Sequence, residues 1–481
     1  MTAPAEVFDV LVVGAGPAGL AAAAAAAEAG SSVAVVDAGP GPGGQYWRNA
    51  TAPDAAFLHH DRRTFLDLLR RTTAASVVFR PQHHVQTVTA EGDGWVAACA
   101  LGSEPRADLR TAALRGRRLV LATGAYDRQL PFPGWDLPGV LAAGGVQALL
   151  KQHGVAAGRH AVVAGTGPFL LPVADGLLRS GATVAAVVEA NSQAGFARHP
   201  RAVLGVRGKV GEAAGYLARL ARTRTPYRRR SVVVRAMGTD RLEAVEVARL
   251  DRSGRRVPGA VSTVPCDLLA VGWGFTPQLE LHLQLGCAVT QGADGSLVVE
   301  ADADGRTTVP GVWAAGESTG VGGAELAVVE GEIAGRAAAG TAVPDRLRSR
   351  RTALRRFAAA LHEVHPVPAA VLDSLPDDTL LCRCEEVPAG AVRDAVREWG
   401  ATDARTVKLL TRTGMGWCQG RVCGSATALL TARACGRECQ VTDLRAFADR
   451  PLPVPLPLRL LADPAGERTA ALPADPAGRV S

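Results

Sequence analysis

"VFDVLVVGAGPAGLAAAAAAAEAG" (residues 7–30) runs from an apolar stretch through a glycine-rich turn into an alanine-rich segment. The apolar stretch halts at Gly14 and reads as a buried strand; the segment from Gly19 reads as a helix that Gly30 ends. The turn between them is G-A-G-P-A-G. Gly14 permits the tight turn, Gly16 lets the backbone approach a pyrophosphate, and Gly19 lets helix and strand pack closely. The unpaired N–H groups of the helix start then face the phosphates. "SVAVVDAG" (residues 32–39) follows as a second strand closed by Asp37, where a carboxylate accepts both hydroxyls of an adenosine ribose. G-x-G-x-x-G alone recurs by chance, but strand, turn, helix and distal acid together predict a Rossmann-like nucleotide lobe.

The chain has 481 residues, enough for two to four folded units. Its net charge of +7 comes mostly from scattered arginines. Two clusters, "RLARTRTPYRRR" (219–230) and "RLRSRRTALRR" (346–356), read as solvated helix faces or linkers. Aromatics are scarce, which argues against nucleic-acid stacking. Glu6 and Asp9, rather than basic residues, stand at the uncharged opening segment, and its glycines weaken it as a membrane span. Nine cysteines, an odd number and mostly isolated, fit a reducing compartment, so a cytoplasmic chain without a membrane span is expected.

Three further segments point to a flavin. "PGGQYW" (42–47) brings the backbone at Gly44 and the amide of Gln45 toward an isoalloxazine ring. "LVLATGAYDR" (119–128) sets a strand before Thr123 and Gly124, a second turn able to approach a cofactor. "VPGVWAAGEST" (309–319) ends a strand at Gly316 and Glu317, where a carboxylate holds ribityl hydroxyls. With the first motif, these segments resemble the two-dinucleotide-binding flavoprotein reductases, in which a final "AAGD" closes the FAD site. Glu317 is one methylene longer than that Asp, so its bond is re-angled. Tyr46, Tyr126 and Trp273 either line the flavin or pack in the core. Cys99, Cys266 and Cys287 are lone, without the C-x-x-C of thioredoxin-type reductases, and read as core residues.

"RHAVVAGTGPFLLPVADGLLRSGATVAAVVEA" (159–190) repeats the strand-turn-helix pattern. Gly165 and Gly167 match the first two glycines, and Glu189 ends the next strand as a ribose acceptor that disfavours a 2′-phosphate. Leu170 stands where the third glycine belongs, which forces helix and strand apart or rotates the helix start. The site therefore reads as one for NAD, for another adenine nucleotide, or as an empty relic. The α/β architecture expected is a discontinuous FAD-binding domain (1–150 and 262–345), an inserted NAD(P)-binding-like domain (151–261) and a helical linker (346–375). A small helical domain (376–450) and a Pro-rich arm with a disordered tail (451–481) complete it.

The small domain carries "LLCRCEEV" (380–387) and "GWCQGRVCG" (416–424): Cys382 and Cys384, then 33 residues, then Cys418 and Cys423. Structural zinc usually takes C-x2-C pairs closing on one ion at about 2.3 Å. Here one pair is tighter and the other looser, which suits a wider two-iron, two-sulfide cluster; zinc, or a role for Cys435 and Cys439, are the alternatives. Between the pairs, "PAGAVRDAVREWG" (388–400) places Val392, Val396 and Trp399 on one helix face, and "TDARTVKLLTRTG" (402–414) reads as a helix capped by Thr402 and ended at Gly414. A third helix follows Cys423. Arg383, Lys408, Arg412 and Arg421 add positive charge near the ligands; Glu385 and Glu386 oppose it.

Both cysteine pairs, their separation and "VKLLTRTGMGWCQGRVCG" resemble the bacterioferritin-associated-ferredoxin (BFD) type of [2Fe-2S] domain. Nearly the whole chain resembles the large, non-substrate-binding component of multisubunit amine and amino-acid oxidoreductases. That family includes the larger flavin- and cluster-bearing chains of hydrogen cyanide synthase, of octopine and nopaline oxidases, and of hydroxyproline and proline dehydrogenases. The resemblance implies dehydrogenation of an amino acid, imino acid or opine at a C–N bond. It also implies a D-amino-acid-oxidase-type flavoprotein partner with the substrate site, often joined by a small ferredoxin-like [2Fe-2S] protein. No catalytic residue is legible in this chain. Two other readings stand beside it: a self-sufficient NADH-dependent ferredoxin-type reductase, and a cluster-bearing scaffold or redox sensor.

Overall fold

The computed structural model describes residues 6–48, 58–59, 61–102, 110–368 and 370–454. The Val7–Val13 strand lies at the centre of a seven-stranded sheet, parallel to Val33–Val36 on one side and to Arg110–Leu121 on the other. Arg110–Leu121 does double duty. Its first half pairs antiparallel with Gly94–Leu101, and its last three residues run parallel to Val312–Ala314. That second pairing sets the turn after Thr123 beside the turn at Gly316.

Helix Pro17–Glu28 is alanine-rich because a second helix, Ala324–Ala338, lies almost on its backbone. A side chain on Gly331 would meet the Ala18 carbonyl at 2.0 Å, and one on Gly335 the Ala22 carbonyl at 2.2 Å. Gly19 has the expected role, since a Cβ there would meet the Gly14 carbonyl at 1.7 Å.

The second sheet is parallel, in the order Tyr227–Arg229, Thr183–Glu189, His160–Gly165, Leu268–Gly272, Val140–Ala142. The insert expected at 151–261 is thus corrected at both ends, because Val140–Ala142 and Leu268–Gly272 belong to this sheet. All five residues of Leu268–Gly272 are buried, and such an apolar run has the same pattern in either sheet. Its place is decided by register, Leu268 opposite Ala161. An antiparallel meander, Ser231–Met237, Ala244–Leu250 and Arg256–Pro265, completes the lobe.

Helix Asp345–Val364 connects the lobes to the C-terminal unit. Its arginines do more than face solvent, which corrects the reading of 346–356. Arg351 and Arg355 reach the buried Glu330 at 2.9 and 2.8 Å, and Arg355 also donates to Thr319 at 2.6 Å.

In the C-terminal unit, Leu380–Cys382 pairs with Val387–Pro388, and helices Ala389–Arg397, Ala404–Thr411, Gly424–Ala434 and Val441–Ala448 follow. Two expectations are corrected. Trp399 lies beyond its helix and is 58% exposed. The second helix is capped by Asp403, whose carboxylate accepts from Thr406 N, and it ends at Arg412 in the left-handed conformation rather than at Gly414. The unit does not stand alone. Leu381, Val392, Val407 and Leu430 share one core with Trp135, Val233 and Leu242, and the Trp135 indole donates to the Leu380 carbonyl at 2.7 Å.

Most of the Pro-rich arm, 455–481, lies outside the described residues. Its first residues rest on this same chain, with the carbonyls of Pro451 and Pro453 accepting from Gln284 and Arg421. Among the described residues no helix is long and apolar enough to cross a membrane.

Candidate functional site

A cavity of about 2760 Å³ opens between the lobes, lined by Gly14, Gly16, Asp37, Gly44, Gln45, Thr123, Gly124, Gly316 and Glu317. The turn that builds it is held from behind. Gly14, at φ +105°, donates to the Val36 carbonyl at 2.8 Å, while Ala15 N and Gly39 N each reach an Asp37 oxygen at 2.6 Å. The 42–47 segment folds onto this turn so closely that a Cβ on Gly44 would meet Gly16 Cα at 2.7 Å. Gln45 Oε1 accepts from Arg48. Gly124, at φ +77°, has nothing within 4 Å of where a Cβ would stand, which leaves its backbone open to the cavity.

Glu317 accepts from Gly323 N at 2.9 Å through Oε1, and its buried Oε2 has no partner among the described residues. Burial pushes this carboxyl up to about 7. An unpartnered carboxyl oxygen on the cavity wall, opposite a bare glycine turn, fits the ribityl hydroxyls of a flavin dinucleotide. Tyr46, Tyr126 and Trp273 also line the cavity.

The second turn is built differently. Gly167 borders the cavity, but Gly165 and Glu189 do not. The helix begins at Leu170, after two i→i−3 bonds, Leu170 N to Gly167 O and Leu171 N to Pro168 O, where the first lobe makes an i→i−4 bond from Leu20 N to Gly16 O. The helix start is therefore shifted, and the absent side chain of Gly272 makes room for Leu170. Glu189 as a ribose acceptor is corrected. It is 0% exposed, and its oxygens accept from Thr166 Oγ1 at 3.0 Å, Gly167 N at 2.9 Å and Asn191 N at 3.0 Å. His365 Nδ1 closes over it at 3.4 Å, and Asn191 donates to the Pro366 carbonyl at 2.8 Å. The end of the connector helix thus covers this acid.

The four cysteines lie next to one another in the fold. Cys382 and Cys423 are buried, Cys418 is half-buried and Cys384 is exposed. Hydrogen bonding with the Cys423 thiol lowers Cys382 and Cys418 below the ordinary thiol range and raises Cys423 itself. Gly416 packs on the exposed Cys384, since a Cβ there would meet Cys384 Cβ at 2.3 Å. Among the described residues no three of His, Cys, Asp or Glu are arranged to hold a single metal ion. Four thiols are the donor set that a [2Fe-2S] cluster takes. Cys435 points to the Ala401 carbonyl, and Cys439 packs against the Ala404–Ala428–Phe447 cluster.

One arrangement has no signal in the sequence. Tyr126, on the cavity wall just after Gly124, donates to Glu280 Oε1 at 2.8 Å. The same oxygen is reached by Arg421 at 3.1 Å and Arg450 at 2.7 Å. Arg421 also donates to the Tyr126 hydroxyl at 3.1 Å and to the Cys418 carbonyl at 3.3 Å, and Arg450 to the Gln419 carbonyl at 2.6 Å. The loop 418–423 between the second pair of cysteines is thereby tied to the cavity wall by four residues distant in the chain.

Comparison with known proteins agrees with this geometry. Residues 8–334 match the model of the pyridine nucleotide-disulphide oxidoreductase family, and residues 380–432 that of the BFD-like [2Fe-2S] binding domain. A chain of the opine oxidase of Rhizobium meliloti (strain 1021), named as one of its subunits, is 32% identical over 475 residues, covering 95% of this chain and 99% of the relative. The HcnB chain of the hydrogen cyanide synthase of Pseudomonas aeruginosa, likewise named as one of its subunits, is 32% identical over 440 residues, 89% of this chain and 93% of the relative. The crystal structure of L-proline dehydrogenase from P. horikoshii superposes with a TM-score of 0.68 at 21% identity, covering 95% of this chain and 79% of that one, a likeness of fold.

Proposed function

This chain belongs to the pyridine nucleotide-disulphide oxidoreductase family, and from that premise we propose that it is the electron-transfer subunit of a cytoplasmic complex that dehydrogenates an amino acid, imino acid or opine at a C–N bond. It is a flavin oxidoreductase whose cofactors are FAD and a [2Fe-2S] cluster. FAD, when bound, takes up two electrons and releases them singly, and the cluster, when bound, carries one at a time. In this reading Gly14, Gly16 and Asp37 hold the adenosine and pyrophosphate. Gly44, Gln45, Thr123 and Gly124 lie toward the ring, Gly316 and Glu317 hold the ribityl chain, and Cys382, Cys384, Cys418 and Cys423 hold the iron.

The observation that carries the reading is the tie from Tyr126 through Arg421 to the Cys418 carbonyl. It joins the wall of the flavin cavity to the cluster loop through hydrogen bonds alone, which suits a chain that passes electrons between two bound centres. The substrate site would then belong to a D-amino-acid-oxidase-type partner, with a small ferredoxin-like protein completing the assembly. The opine oxidase and hydrogen cyanide synthase relatives, both named as subunits, support an assembly. The covered Glu189 argues against NADH as the electron source.

The test is anaerobic. Flavin absorbance of the purified chain should stay unchanged with NADH, whereas in the complex isolated with its native partners the substrate should bleach the flavin and reduce the cluster. Rapid bleaching of the lone chain by NADH would reverse the assignment in favour of a self-sufficient reductase.

A further inference from the structure

Lys151 is only 5% exposed, on the inner face of helix Ala143–His153. Its ammonium donates to the Tyr46 carbonyl at 2.8 Å and stands 5.2 Å from the centre of the Tyr46 ring. A carbonyl and a ring face orient the group but do not neutralise it. Beside it, Arg48 spends its terminal nitrogens on the neutral amides of Gln152 and Gln45, and its buried Nε has no partner among the described residues. Neither cation has an ion pair among the described residues, and both line the cavity.

A buried cation beside a half-buried one is an unfavourable arrangement, because each has lost water and each repels the other, and only Arg48 feels a carboxylate, that of Asp37. Burial accordingly pushes the Lys151 ammonium down to about 8, with Arg48 adding to the effect, yet it remains mostly charged near neutrality. The side chains are nevertheless fixed, by Gln45, Gln152 and Tyr46, with spare donors toward the cavity. Gln45 and Tyr46 belong to the segment that Gly44 lays on Gly16, and Lys151 and Gln152 to helix Ala143–His153, so the two cations meet where that segment touches the helix.

We propose that Arg48 and Lys151 form a subsite for one anionic group, a phosphate or a carboxylate, on the wall of the interlobe cavity. Its source is either the pyrophosphate of the bound dinucleotide, in which case the proposal rests on the flavin reading above, or a separate small anion.

The experiment uses the full-length chain, stripped of flavin and then reloaded, with Lys151→Met, Lys151→Arg and Arg48→Met. Inorganic phosphate at about 10 mM, against chloride at equal ionic strength, is the first probe, and thermal unfolding is its readout. Phosphate should raise the midpoint of the wild-type apo-chain and of Lys151→Arg, but not that of Lys151→Met or Arg48→Met. Without phosphate, Lys151→Met should melt above wild type, because an uncompensated buried charge is gone; a merely structural lysine would give the opposite shift.

FAD is the second probe. A dissociation constant raised about tenfold in both Met variants, and restored in Lys151→Arg, identifies the pyrophosphate as the anion. Unchanged FAD affinity, with phosphate still protecting the FAD-loaded wild type alone, identifies a separate anion. The subsite is overturned if phosphate protects no form and the Met variants bind FAD as wild type does. If the wild-type chain takes up no FAD, the flavin reading fails while the phosphate arm still decides the subsite.

Discussion

Arg421 Nη2 lies 3.1 Å from Glu280 Oε1, at the seam where the cysteine domain meets the flavin lobe. Glu280 is 1% exposed and serves Arg450 and Tyr126 as well. One buried carboxylate thus balances two guanidinium groups beside the Cys418 loop. Removing it leaves both cations buried without compensation, a change that costs about 3–5 kcal/mol where measured elsewhere. Glu280→Ala should therefore lower the urea-unfolding free energy by that order and expose the 418–423 loop to protease. A variant within about 0.5 kcal/mol of wild type would show that the seam is held by its apolar contacts.

Tyr126→Phe separates the hydrogen-bonded link from the charge balance. It keeps the ring against Arg421, 5.9 Å from the guanidinium carbon, and removes only the hydroxyl. Stability should fall by about 1 kcal/mol or less. With reduced flavin as donor, rapid-mixing spectroscopy should show the cluster filling severalfold more slowly, at an unchanged cluster midpoint potential. Equal rates in the two proteins would remove this hydroxyl from the electron path.

The nucleotide turn and the cysteine quartet are legible because their signals are local. Gly14, Gly16 and Gly19 sit within one turn and Asp37 at the next strand's end, so spacing alone brings them to one place. The seam is not legible, since residues 126, 280, 421 and 450 are related only by the fold. Lys151 and Arg48 look like ordinary surface cations until burial is known. The boundary of the second lobe is hidden because "LLAVG" (268–272) carries no mark of the sheet it joins. At the second turn Leu170 does announce an altered helix start. What it cannot announce is that His365, from a helix over 170 residues later, covers Glu189.

The cysteine quartet divides into an inner pair, Cys382 and Cys423, and an outer pair, Cys384 and Cys418. Cys382→Ala or Cys423→Ala should abolish iron and acid-labile sulfide and loosen the core that the domain shares with the second lobe. Cys384→Ser should retain part of the iron, because a hydroxyl oxygen at an exposed ligand position is still a donor. Cys435→Ala and Cys439→Ala should keep the full iron and sulfide content, since neither thiol faces the quartet. Elemental analysis and electron paramagnetic resonance after dithionite give the answer. Loss of iron in Cys435→Ala would redraw the ligand set.

His282 is fully buried, and neither ring nitrogen has a partner among the described residues. Burial pushes its pKa down to about 3, from an ordinary value near 6.5. The unfolded chain therefore binds a proton first as pH falls below about 6.5. The stability held by the neutral ring is complete above that value and is lost on acidification, at about 1.4 kcal/mol per pH unit, until pH approaches about 3. Between pH 7.5 and pH 5 this amounts to about 2 kcal/mol. His59, also lowered by burial, adds a similar slope, but it is common to wild type and His282→Leu and cancels in their comparison. His282→Leu removes two unpartnered polar atoms at little cost in shape, so at neutral pH it should be as stable as wild type or more so. Urea titrations at about pH 7.5 and about pH 5 should show wild type losing about 2 kcal/mol more than the variant. Parallel losses would mean that His282 finds a partner in solution and that its ring is not held neutral by burial.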